Sequence, residues 1–102
     1  MTPSSLDRRV FYVDEVRFSD AEPRERGTGL IGYVSFRLNR GLRIDGVTVR
    51  QTRKGKLCLS FPARRGLTGR QFFFIQPIDG SARSEIERQV LQALGFEEAV
   101  PR

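Results

Sequence analysis

The sequence predicts an α+β domain: a five-stranded antiparallel β-meander followed by one packed C-terminal helix, dimerising through the sheet. Three observations lead there. Segments rich in β-branched and aromatic residues recur between residues 10 and 76, punctuated by Gly, Pro and Asn. After Pro77 the apolar spacing changes from two to a helical period. A chain of 102 residues supports one modest core and not comfortably two, so residues 1–102 read as one domain with flexible ends at 1–9 and 97–102.

"VFYVDEVRF" (residues 10–18) reads as the first strand and the polar "SDAEPRERGTG" after it as a mobile loop. "LIGYVSFRL" (residues 30–38) alternates, with Leu30, Gly32, Val34, Phe36 and Leu38 on one face and Ile31, Tyr33, Ser35 and Arg37 on the other. "NRG" makes a hairpin turn into "LRIDGVTVR", where the apolar phase slips at Asp45-Gly46 and predicts a β-bulge. "QTRKGK" turns into a fourth strand, "LCLSF", stopped by Pro62. "PARRGLTGR" reads as a flexible basic loop and "QFFFIQ" as a fifth strand, with its phenylalanines holding helix and partner subunit to the sheet.

The last segment is helical. Ser81 is the expected N-cap, Glu85 falls in the first turn, and Ala82, Ile86, Val90, Ala93 and Leu94 form an apolar stripe. Gly95 suits a left-handed cap, with Phe96 folding back on the last turn. One short helix covers one face of five strands. The aromatic second face then calls for a second copy, by sheet face or edge pairing, or for the 19–29 loop as its cover.

Charge is unevenly spread. Residues 24–70 carry twelve Lys/Arg against two acids, while each flank has a net charge of −2 within a total of +6. Only two of the eighteen bases are lysine, and arginine grips phosphate bidentately. The cations fall in predicted turns at strand ends, at Arg40, Arg53-Lys54 and Arg64-Arg65, which suits a belt of phosphate contacts without base selection.

Several chemistries are disfavoured. The chain has no histidine and one cysteine, so it lacks the usual general base and zinc-ligand clusters. Cys58 sits among apolar neighbours, as a buried inert thiol would. No phosphate-loop or dinucleotide fingerprint occurs. The expectation is a non-enzyme with no catalytic residues, metal, cofactor or small-molecule substrate. Without a secretory leader or a long apolar run, it is expected in the cytoplasm and off the membrane. "GYVSF" matches the end of the RNA-recognition-motif aromatic signature, but residues 19–29 cannot supply the helix that fold needs.

Three segments also line up with a known family: "VDEVRF", "SFRLNRGLRIDGVTVR" and "LSFPARRGLTGRQFFFIQPIDGSARSEIERQVL". In order and spacing, from Val13 to Leu94, they resemble the stage V sporulation protein G (SpoVG) family. The markers are a strand ending in "FP", the basic "ARR", a glycine-bearing loop, and a strand ending in "PI" before the helix. The resemblance implies a small bacterial regulator that dimerises through its sheet and binds DNA and RNA, with links to sporulation and septation. By position, Arg64 and Arg65 match the family's basic pair, Arg70 sits near its basic position after the loop, and Arg83 matches its helix-start base. The nucleic-acid-binding set expected from charge and resemblance together is Arg53, Lys54, Arg64, Arg65, Arg70 and Arg83. The alternative is a protein-interaction module whose basic belt meets an acidic partner.

Overall fold

Pro62 divides the β-structure into two unequal parts. A computed structural model describes residues 10–96. The expected flexible ends, 1–9 and 97–102, lie outside the described residues. Strands β1 (Val13–Asp20), β2 (Leu30–Leu38), β3 (Leu42–Gln51) and β4 (Leu57–Ser60) form one antiparallel sheet in the order β1-β2-β3-β4. Strands β5 (Ala63–Arg65) and β6 (Gln71–Phe73) form a separate two-stranded hairpin, and helix α1 (Gly80–Ala93) closes the chain. The architecture is α+β, but the five-stranded meander is replaced by four strands plus a hairpin.

Edge chemistry explains the difference. On the outer side of β4, the Leu59 N–H donates to Glu87 Oε2 at 2.9 Å and its carbonyl accepts from Arg83 Nη1 at 2.9 Å. Helix side chains thus occupy the hydrogen-bonding positions a fifth strand needs. Pro62, with no N–H, ends the ladder in any case. At the opposite edge, Gln89 accepts from the Val13 N–H at 2.9 Å and donates to the Phe11 carbonyl. Helix α1 therefore reaches both edges of the sheet and covers the face between them.

That face holds the core. Val34 and Phe36 from β2, Ile44, Val47 and Val49 from β3, and Leu59 and Phe61 pack against Ile86, Val90 and Leu91 of α1. The expected alternation along β2 is seen, with Leu30, Gly32, Val34 and Phe36 buried. Gly32 is required there: a β-carbon would meet the Phe18 ring and the Ser19 carbonyl. The bulge at Asp45-Gly46 is present, because Val34 pairs with Val47 and Phe36 with Ile44, setting two β3 residues against one of β2. Gly46 adopts a φ of 78° to make it. A second bulge lies at Glu15-Val16 in β1, where the core-packed residues slip from Phe11 and Val13 to Val16 and Phe18.

The helix begins earlier than its sequence suggests. Asp79, not Ser81, is the N-cap, and its carboxylate accepts from the Ala82 N–H at 2.9 Å. With the start moved to Gly80, Glu85 lies beyond the first turn and pairs with Arg88 at 2.6 Å. Ala82, Ile86 and Val90 are buried as expected, but Leu91 replaces the exposed Ala93 in the stripe. At the C-terminus, Gly95 has a φ of 81°, and bonds from Gly95 N–H to Gln92 and Phe96 N–H to Leu91 build a Schellman cap. The Phe96 ring then meets Phe18 edge-on at 6.2 Å.

The 19–29 segment is ordered. Pro23–Thr28 forms a 3-10 helix in which Glu25 accepts from the Glu22 N–H at 3.0 Å. Among the described residues no helix is long and apolar enough to cross a membrane.

Candidate nucleic-acid interface

Two glycines three positions apart, Gly66 and Gly69, close the hairpin. Gly69 N–H closes onto the Gly66 carbonyl at 3.0 Å with Gly69 at a φ of 84°, and Gly66 N–H donates to the Arg70 carbonyl at 2.7 Å. These bonds bring Ala63 opposite Phe73, Arg64 opposite Phe72 and Arg65 opposite Gln71. A further bond, from Phe74 N–H to the Pro62 carbonyl at 3.0 Å, extends the ladder to the root. What reads in sequence as a flexible basic loop is thus largely strand and tight turn. Its signal was present in "ARRGLTGRQFF": a glycine-bracketed turn between two segments of β-compatible residues.

Three of the expected contacts come together on this hairpin. Arg64, Arg65 and Arg70 are all exposed, and none has an ion-pair partner among the described residues. Arg65 is oriented by donating from Nη1 to the Gly69 carbonyl at 2.8 Å. The Arg70 guanidinium lies over the Phe72 ring, 5.4 Å from its centroid. Phe72 also packs on Gly66, where a β-carbon would sit 2.8 Å from the ring.

Arg53 and Lys54 lie elsewhere. They occupy the β3–β4 turn, exposed and without an acidic partner among the described residues. From Leu57 at that turn to Pro62 at the hairpin root is five residues, roughly 16 Å of extended chain. The two cation groups are therefore distinct, joined by β4. Arg83 belongs to neither. It binds the Leu59 carbonyl and Glu87 and stacks over the Phe61 ring at 5.6 Å, so its charge is spent on holding α1 to β4.

The basic middle of the chain is partly neutralised by acids preceding it. Arg37 makes a bidentate bond to Asp14, at 2.8 and 2.7 Å, and Glu15 bridges Arg37 and Arg43 at 3.2 and 3.3 Å. These bonds hold the Asp14 carboxyl below the usual carboxylate range, chiefly through its hydrogen bond to Arg37. Arg26 approaches Asp20 at 4.0 Å. By contrast, the stretch 46–78 contains no acidic residue at all. The unpaired charge is concentrated there.

The phenylalanines do not pack between helix and sheet as expected. Phe72, Phe73 and Phe74 are 47%, 42% and 68% exposed, and Phe61 takes the core position instead. The uncovered face of the four-stranded sheet is correspondingly polar, with Tyr33, Ser35, Arg37 and Thr48 on it. Tyr33 donates to Glu25 Oε2 at 3.0 Å, which raises the phenol's pKa and ties the 3-10 helix to this face. The premise of an aromatic second face calling for a partner is thus removed. Cys58 is half-buried there, not fully enclosed as expected.

Beside the root of the hairpin the core is not closed. An apolar cavity of about 270 Å³ lies between Phe36, Ile44, Phe61, Ile78 and Ile86. Ile78 is 81% exposed, and Tyr12 and Leu42 are exposed at the same end of the sheet, next to the β2–β3 turn. A scan against protein-family models matches none of them, and no curated protein sequence matches the chain.

Proposed function

We propose that this protein is a small cytoplasmic nucleic-acid-binding regulator of the SpoVG type, without enzymatic activity, acting as a homodimer on DNA or RNA. The observation that carries the reading is the grouping of Arg64, Arg65 and Arg70 on one hairpin inside an acid-free stretch of thirty-three residues. Cations used for the fold are paired with acids, as Arg37 and Arg83 are. Those on the hairpin have no such use. A phosphate backbone matches unpaired guanidiniums arranged along a strand. Arg53 and Lys54 extend the contact to the β3–β4 turn, and Arg83 supports it from within the fold. Homodimerisation is supported by the open apolar cavity, which has the exposed Ile78 in its lining and the exposed Leu42 paired with its Leu38. Two polar sheet faces have less to gain from each other.

Fluorescence anisotropy with labelled oligonucleotides, across a salt series, tests the reading. Neutralising five phosphates through Arg53, Lys54, Arg64, Arg65 and Arg70 gives a log–log salt slope of about −4.5 on duplex DNA. Sedimentation of the same sample reports the dimer. The absence of binding in dilute buffer sinks the proposal. A second reading, an interaction module for an acidic protein partner, is favoured by the exposed rings among the cations; a pull-down that survives nuclease treatment selects it.

A further inference from the structure

The hairpin carries rings for which its own fold has no use. Phe72, Phe73 and Phe74 are absent from the core cluster, yet they follow one another directly. A contiguous exposed apolar run of this kind is a binding surface. Three properties say for what. Its charge is wholly positive, since no acid falls between Asp45 and Asp79. Its geometry is compact: Phe72 and Phe73 lie in β6, and Phe74 follows in a bend whose N–H is tied to the Pro62 carbonyl. Arg64 stands directly across from Phe72. Its parts are held in advance, Phe72 between Gly66 and the Arg70 guanidinium, and Arg65 on the Gly69 carbonyl. Groups already ordered lose little freedom on binding.

In a duplex the base faces are stacked on one another and only their edges are offered. Unpaired bases offer the faces that aromatic rings and guanidinium planes bind. We infer that the β5–β6 hairpin is a stacking platform for single-stranded nucleic acid. One base lies on the Phe74 ring and a second on the Arg70 guanidinium that Phe72 backs, while Arg64 and Arg65 hold the phosphates. This rests on the nucleic-acid reading above and names its substrate class.

The chain contains no tryptophan, so Phe74→Trp installs a single reporter at the platform. A mixed-sequence 20-nucleotide single strand quenches its emission saturably, with the midpoint found by anisotropy on the unmodified protein. DNA and RNA versions of that strand separate the two sources. The double variant Phe72→Ala/Phe74→Ala loses at least about tenfold in single-strand affinity. Its duplex affinity falls by no more than about threefold, the share that freeing Arg70 from the Phe72 ring costs, and Phe73→Ala stays within about threefold on both forms. Equal single-strand affinity in the double variant, or equal loss on both forms, overturns the inference while leaving charge-driven binding intact. A dimer that falls to monomer in the double variant, losing both forms equally, assigns the rings to a subunit contact and also overturns it. If the unmodified protein binds neither form in dilute buffer, the functional reading itself fails.

Discussion

The four-stranded sheet with its helix and the β5–β6 hairpin are built from similar residues put to opposite uses. In the sheet, Arg37 and Arg83 meet carboxylates and carbonyls, and Phe36 and Phe61 are buried. In the hairpin, Arg64 and Arg65 meet no acid among the described residues, and Phe72 and Phe74 face water. The radius of gyration, 14.9 Å, exceeds the roughly 12–13 Å of a compact domain this size, in keeping with a hairpin standing off the body. Residue type alone does not separate a structural arginine from a ligand-seeking one. The difference lies in what each meets.

Substitutions that damage one region and spare the other sharpen this contrast. The largest stability effect is expected in the body: Ile86→Ala costs about 2–5 kcal/mol, read from chemical denaturation, and leaves oligonucleotide affinity of the folded fraction intact. An Ile86 variant that unfolds normally but loses binding breaks the division. Arg64→Glu with Arg65→Glu is its mirror image. Binding falls at least about tenfold on every sequence, while stability stays within about 0.5 kcal/mol, as is usual for exposed sites.

Arg83→Ala decides a residue that sequence and structure read differently. It removes hydrogen bonds to the Leu59 carbonyl and Glu87, so a loss of about 1–2 kcal/mol in stability is expected. Salt slope should not change. A slope smaller by about one unit would return Arg83 to the phosphate contacts.

The smallest effect is electrostatic. The Asp14 and Glu85 carboxyls are both held low, the first by its hydrogen bond to Arg37 and the second by its bond to Arg88. A depressed folded-state value means the unfolded chain takes up protons first as pH falls. The stability from these pairs is therefore complete above the unfolded carboxylate values near about 4 and is lost below them. Thermal melts from pH 7 to 3 should show a decline that Asp14→Asn reduces and added salt weakens, since both pairs are exposed. An unchanged acid profile in Asp14→Asn would show that the Arg37 bridge contributes nothing.

Much of the body was legible in the sequence. Period-two alternation located β2 and its buried face, and a phase slip located the Asp45-Gly46 bulge. Gly95 marked the end of α1. The second bulge was masked because Val10, Phe11, Tyr12 and Val13 form an unbroken apolar run, which hides the slip to Val16 and Phe18. Asp79 and Ser81 are both good cap residues by type, and local preference alone does not separate them. At the candidate interface, the charge of Arg64, Arg65 and Arg70 was plain, but their mutual placement was not.

Local preference and charge are properties of neighbouring residues, so composition and spacing determined the strands, the helix and an arginine-rich, acid-free segment. Which strand pairs with which, and which ring finds cover, depends on groups far apart in the chain. Arg83 and Glu87 occupy the edge at Leu59, twenty-odd residues earlier, and thereby leave Gln71–Phe73 to pair with Ala63–Arg65. That single tertiary competition for backbone hydrogen bonds turned an expected core strand into an exposed hairpin.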